Sequence, residues 1–148
     1  AGLVSNLNTN ILSSMLVSDM ATNLSVDYDT NTDGSDTDGA KSIKISGLDN
    51  NWNEINEIID LTTNTTTNNS YLRVNNINVN ETNSYFSSNK GNIKLTNSYG
   101  KIAGFISADE GQTKQLLYSV PSDKTLYIKP LASDKKSKEI YILGLEKK

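Results

Sequence analysis

Apolar residues in this chain recur at every second position in short runs, and each run stops near Gly, Asn, Asp or Pro. Alternation of period two turns one side of an extended backbone toward a core and the other toward water, so it specifies half-buried strands. Leu24, Val26 and Tyr28 form the first run, and Ile43 with Ile45 the second. Ile93 with Leu95, Ile102 with Phe105/Ile106, Leu116 with Tyr118 and Val120, Leu126 with Ile128, and Ile140 with Ile142 continue the series. Many short strands separated by turn residues predict an all-β chain, a single antiparallel β-sandwich or open barrel-like domain over residues 21–148.

Two stretches need closer reading. In Trp52 to Leu61, Trp52, Ile55 and Ile58/Ile59 fit a helix, whereas Ile55, Ile59 and Leu61 fit one face of a strand. The β-rich surroundings favour the strand. In Tyr71 to Val79 the phase changes: Leu72 and Val74 are followed by Ile77 and Val79, with the Asn75-Asn76 pair between them. One extra residue in a strand produces that shift, so a β-bulge is predicted there.

The N-terminal segment, residues 1–20, departs from this pattern, with Val4, Leu7 or Asn8, Ile11 and Met15 at near-helical spacing. It reads either as a short helix or as an extended arm that orders against a neighbour. At 148 residues the chain suits one domain. Its hydrophobic share of 35% implies a thin core. Twenty asparagines imply many turns, because Asn bonds its own backbone and tolerates left-handed geometry. Gly47 and Gly111 are expected at turns, and Trp52 is expected to fill the core as the single tryptophan.

Several function classes are disfavoured on composition. The chain has no Cys and no His, which removes disulfides, thiol nucleophiles, the usual zinc sites and Ser-His-Asp catalysis. Carboxylate pairs can be drawn from Glu54, Glu57 and Asp60, or from Asp109 and Glu110, but 17 acidic residues generate such pairs by chance. The expectation is a non-enzyme without an organic cofactor. Net charge of −3 and the lack of an arginine cluster argue against nucleic acid as partner. No apolar run is long enough to insert in a membrane, and no signal-peptide pattern opens the chain, so a cytoplasmically made product is expected.

Charge is distributed unevenly. Residues 1–60 hold ten Asp/Glu against two Lys, and residues 61–148 hold seven against twelve Lys/Arg, so the halves carry −8 and +5. Two readings follow: solvated loops of uneven composition, or complementary patches that meet between subunits of a homo-oligomer. Lys135, Lys136, Lys138, Lys147 and Lys148 read as a solvated edge that discourages sheet-to-sheet aggregation.

Residues 29–40 contain the one stretch with metal-ligand spacing. Asp29, Asn31 and Asp33 at alternate positions, followed by Gly34, match the first half of a calcium loop. The second half does not match, since Ala40 stands where the bidentate Glu would be, although Asp36 and Asp38 could act as ligands in a loop of another kind. The candidate calcium ligands are therefore Asp29, Asn31, Asp33, Asp36 and Asp38. The competing reading is an exposed polar hairpin loop with no ion.

Three stretches in order, KSIKISGLDNNWNEINEIIDL, NSYLRVNNINV and EGQTKQLLYSVPSDKTLYI, carry a likeness to known proteins. Their shared marks are Gly47-Leu48-Asp49, Trp52, Asn53-Glu54-Ile55, Ser70 to Arg73, Gly91 to Ile93, Gly111 to Thr113 and Val120 to Ile128. Together they resemble a family of small structural proteins of tailed bacteriophages from marine and other environmental sources, over about residues 23 to 131. The resemblance implies a virion component, made in the host cytoplasm. Taken with the small size, the missing catalytic residues and the charge-split halves, it leads to the expectation of a capsid decoration or head-fibre protein assembling with capsid or tail proteins of the same particle. A tail-fibre module binding a receptor or host-surface glycan is the alternative, and a bacterial surface filament subunit a third.

Overall fold

In the computed structural model the described residues are 20–34, 39–83, 88–114 and 118–127. They contain six strands and no helix: β1 (Leu24–Tyr28), β2 (Ala40–Leu48), β3 (Glu54–Asp60), β4 (Arg73–Thr82), β5 (Ile93–Asn97) and β6 (Ile102–Ile106). Two antiparallel three-stranded sheets result, ordered β1-β5-β6 and β3-β2-β4, with no closed barrel. The all-β expectation holds, and the ambiguous segment after Trp52 is a strand.

The alternating residues supply the core from both sheets. Leu24, Val26, Ile93, Leu95 and Ile106 face Ile43, Ile45, Ile59 and Ile77, all buried. Fully burying one such side chain contributes about 1.5–3 kcal/mol, so a thin core of this kind suffices only because nearly every inward position is filled. Gly104 of β6 allows the sheets to meet, since a Cβ there would run into the Ile77 side chain of β4.

The predicted bulge is present. Ser46 of β2 pairs with Asn76 and Gly47 with Val74, leaving Asn75 as the extra residue. Gly47 accordingly lies inside β2 and not at a turn, because a Cβ there would strike the carbonyl oxygen of Arg73 across the bulge. Gly111 does occupy a turn, with φ of 71°.

After β6 the chain crosses to the second sheet and lies beside β4, where Val79 N donates to Gly111 O at 2.7 Å and Thr113 N to Ile77 O at 2.8 Å. The outer edge of β1 is covered in the same way by residues 65–67, through Val26 N to Thr65 O at 2.8 Å and Thr67 N to Leu24 O at 2.9 Å. No described strand pairs with the outer edge of β3, whose outward carbonyls at Asn56 and Asp60 accept from Asn69 Nδ2 at 3.4 Å and from Asn64 N at 2.9 Å.

Strands expected at Tyr118 to Val120 and at Leu126 do not form; residues 118–127 carry no ladder. A side chain takes the place of the missing partner. The Asn75 carboxamide accepts from Ser119 N at 2.7 Å and donates to Ser119 O at 2.8 Å, holding the segment by one residue. The expected N-terminal arm or helix, Leu116, Ile128 and the Ile140/Ile142 strand fall outside the described residues, apart from Met20.

Candidate functional site

The acidic stretch after β1 winds into a tight turn, with Thr32 N and Asp33 N both donating to Asp29 O, at 3.0 and 2.9 Å. Asp29 stays at the surface, where its Oδ1 accepts from Asn31 N at 2.9 Å and Asn31 Nδ2 at 3.0 Å. Asp33 points the other way and is 0% exposed. Its Oδ1 accepts from Ala40 N at 2.7 Å and Lys90 N at 2.9 Å, and its Oδ2 from Gly91 N at 2.8 Å and Thr32 Oγ1 at 3.3 Å.

Three backbone amides thus converge on one carboxylate, and such charge-assisted bonds are about twice as strong as neutral ones. Gly39 makes the convergence possible: a Cβ there would meet the Asp33 carboxylate and the Thr32 carbonyl. Asn89 continues the brace. Its Nδ2 donates to Gly91 O at 2.7 Å and Ser107 O at 2.8 Å, and its Oδ1 accepts from Gly111 N at 2.9 Å.

Of the five candidate calcium ligands, Asp29 and Asn31 share a surface turn, Asp33 is turned into the amide cage, and Asp36 and Asp38 lie outside the described residues. Among the described residues no three acidic side chains are grouped to hold a metal ion. What this loop does in the described structure is join β1 and β2 to the chain entering β5. The sequence alone offered no sign of Asn89 as the second brace, because an Asn in an Asn-rich chain carries no distinguishing pattern.

Beside the loop, Asp27, Tyr28, Asp29, Asn92, Lys94 and Phe105 line a shallow, open depression. Lys94 Nζ is 3.0 Å from Asp27 Oδ2 across its floor. Burial first, and the carboxylates of Asp60 and Asp33 second, push the Tyr28 phenol above its ordinary pKa. Its hydroxyl donates to Leu61 O.

Of the carboxylates offered by sequence as hydrolytic pairs, Glu57, Asp60, Asp109 and Glu110 have other partners. Glu57 accepts from Asn68 N at 3.0 Å and Asn69 N at 3.1 Å, pinning the 65–70 loop. Backbone and side-chain donors of Thr62 hold Asp60 below the usual carboxylate range, as Asn53 and Asn51 do for Asp49. A downward shift suits a turn cap and opposes use as a general acid near neutral pH.

Trp52 is not in the core. It sits half-buried in the β2–β3 turn at φ of 65°, a conformation that a bulky side chain rarely adopts. The turn explains it: Trp52 N donates to Asp49 O, Asp49 N to Asn53 O, and the residue between must take left-handed geometry. The Arg73 guanidinium lies 5.5 Å from the Trp52 ring centroid, and Ser122 N donates to Trp52 O at 2.9 Å. Trp52 and Asn75 therefore anchor the 118–124 segment across the end of the second sheet.

Past that anchor the surface becomes apolar. Tyr118 is 56% exposed, Leu126 52% and Tyr127 84%, while Ile58 on β3 is 56% exposed. Lys124, bonded to Asp123 at 2.8 Å, lies within the electrostatic reach of Glu54 at the start of β3. Among the described residues, the acidic strand β3 thus has no strand beyond it, and the segment bonded to the turn before it carries exposed apolar side chains.

The buried end of this sheet yields a pH test. The Tyr71 hydroxyl is buried with no hydrogen-bond partner among the described residues. Burial, followed by the nearby Glu57 carboxylate, pushes its pKa far up. A group raised in the folded state contributes stability that is complete below its unfolded pKa, about 10 for Tyr, and that fades as pH rises toward the folded value. Tyr71→Phe is expected to be neutral or stabilising at pH 7 and to flatten the loss of stability above about pH 10. Urea midpoints of both proteins between pH 7 and 11 check this; equal alkaline slopes would contradict it.

No protein-family model matches this chain, and neither a curated protein nor a solved structure matches it.

Proposed function

We propose that this chain is a structural subunit of a tailed-phage particle, a capsid decoration or head-fibre protein that acts by assembly and surface binding, without enzymatic activity. The observation that carries this reading is the edge position of β3, which no further described strand pairs, together with the exposed apolar side chains of Ile58 on that strand and of Tyr118, Leu126 and Tyr127 in the 118–127 segment. Clustered apolar side chains and open sheet edges are costly on a free monomer and are characteristic of surfaces that meet a partner. The phage-family resemblance and the opposite charge of the two halves of the chain support the same reading.

Mass spectrometry of separately purified heads and tails tests it. The chain is expected in heads at high copy number. Recovery only from tails replaces the head assignment with a tail-fibre one, and recovery from neither removes the virion reading.

A second reading, a module binding a host-surface glycan, is favoured by the depression lined by Tyr28 and Phe105 with Asp27, Asp29, Asn92 and Lys94. Aromatic faces and flanking polar groups are the chemistry that a sugar needs. Binding on a saccharide array that is lost in Phe105→Ala would support this reading, and no binding at millimolar site concentration would end it.

A further inference from the structure

Two unsatisfied features lie side by side on this molecule. The first is the outer edge of β3, whose sequence EINEIID carries Glu54, Glu57 and Asp60 and no basic residue. The second is the stretch Lys124 to Tyr127, which has exposed side chains, no assigned ladder, and no backbone hydrogen bond beyond Lys124 N to Pro121 O at 3.1 Å among the described residues. Its alternation is that of a strand, continuing in sequence through Leu126 to Ile128.

We infer that Lys124 to Tyr127 of one copy adds as a strand to the outer edge of β3 of a second copy, so that two copies exchange these segments reciprocally. This rests on the assembly reading above and names its contact. Strand addition satisfies the amides and carbonyls of the edge that Asn64 and Asn69 leave open, and cross-strand side chains supply selectivity. Leu126 would cover Ile58, each now more than half exposed. Lys124 would meet the face on which Glu54 and Asp60 flank Ile58, whereas two such faces placed together would oppose like charges.

Adjacency decides the symmetry. Ser122 is bonded to Trp52, two residues before β3 begins, so donor and acceptor occupy one side of the molecule. A single two-fold axis then satisfies both, giving a closed dimer and not an open filament.

The chain has no cysteine, so introduced thiols report contacts without background. Ile58→Cys and Leu126→Cys proteins, made separately, are mixed and oxidised, and association of the full chain is followed by sedimentation. The expected products are mixed disulfides joining position 58 of one protein to 126 of the other. Ile58→Lys should weaken dimerisation roughly tenfold or more while leaving melting of the monomer unchanged, because that side chain is exposed. Monomers at every concentration, crosslinks confined to 58–58 or 126–126 pairs, or a double variant that crosslinks within one chain would overturn the inference. A monomeric protein still found in heads would fail this inference alone; a dimer absent from particles would fail the virion reading alone.

Discussion

Replacing Asp33 with Ala is expected to destabilise the fold by about 3–5 kcal/mol, because three buried backbone N–H groups lose their shared acceptor together. Those donors belong to Ala40, Lys90 and Gly91, so the substitution releases the β1–β2 loop from the chain entering β5. Asp33→Asn is expected to recover only part of the loss. A carboxamide keeps the shape but offers one oxygen, and its NH2 would face an amide donor. Urea unfolding of the three proteins measures this directly, with a lowered midpoint and an unchanged slope as the expected signature. The same series run with calcium and with a chelator separates structural from metal-binding roles. An equal loss in both solutions is expected, whereas a calcium-dependent rise in wild-type melting that disappears in Asp33→Ala would make the residue a ligand.

The second large effect concerns the contact between the sheets. Ile77 of β4 is 0% exposed and packs where Gly104 of β6 leaves room for it, so Ile77→Ala opens a cavity between the two layers. The expected cost is about 3–5 kcal/mol, the upper part of the range for such truncations, because β4 is held on both sides and cannot collapse inward. Ile58→Ala, measured at concentrations where the protein is monomeric, is the control, with the same chemistry on an exposed face and an expected change within about 0.5 kcal/mol. Thermal or urea unfolding of the pair tests the assignment of the two faces; comparable losses would mean that the sheet is turned over.

Much of the fold was legible in advance because strand alternation is a local property of the chain. Leu24/Val26, Ile43/Ile45 and Ile93/Leu95 each report which side of their own strand faces inward, and all are buried; in β6 Ile106 does so, but a register shift pairs Ile102 with Thr96 on the other face and puts Ala103 against the core. The Asn75 bulge was legible for the same reason, since a change of phase is visible within one segment. Gly47 and Trp52 were not, because each answers to something outside its own stretch. Gly47 is required by the approach of the Arg73 carbonyl from another strand, and Trp52 is kept from the core by the left-handed geometry of its turn.

The acidic loop marks the boundary most clearly. From residue types alone, Asp29, Asn31 and Asp33 are equivalent oxygen donors at alternate positions. Tertiary structure separates them, sending Asp33 to amides 57 and 58 residues away and leaving Asp29 in water. The strand expected around Tyr118 to Val120 failed on similar grounds: alternation specifies an extended backbone, but a ladder needs a neighbour, and here the Asn75 side chain took that place. Sequence by itself determined the all-β class, where extended segments lie and most of their inward faces, since these follow from the period of the chain. Only tertiary structure decided which carboxylate is caged, which edge is left open and which extended segment lacks a partner, because a partner distant in sequence leaves no periodic trace in either segment.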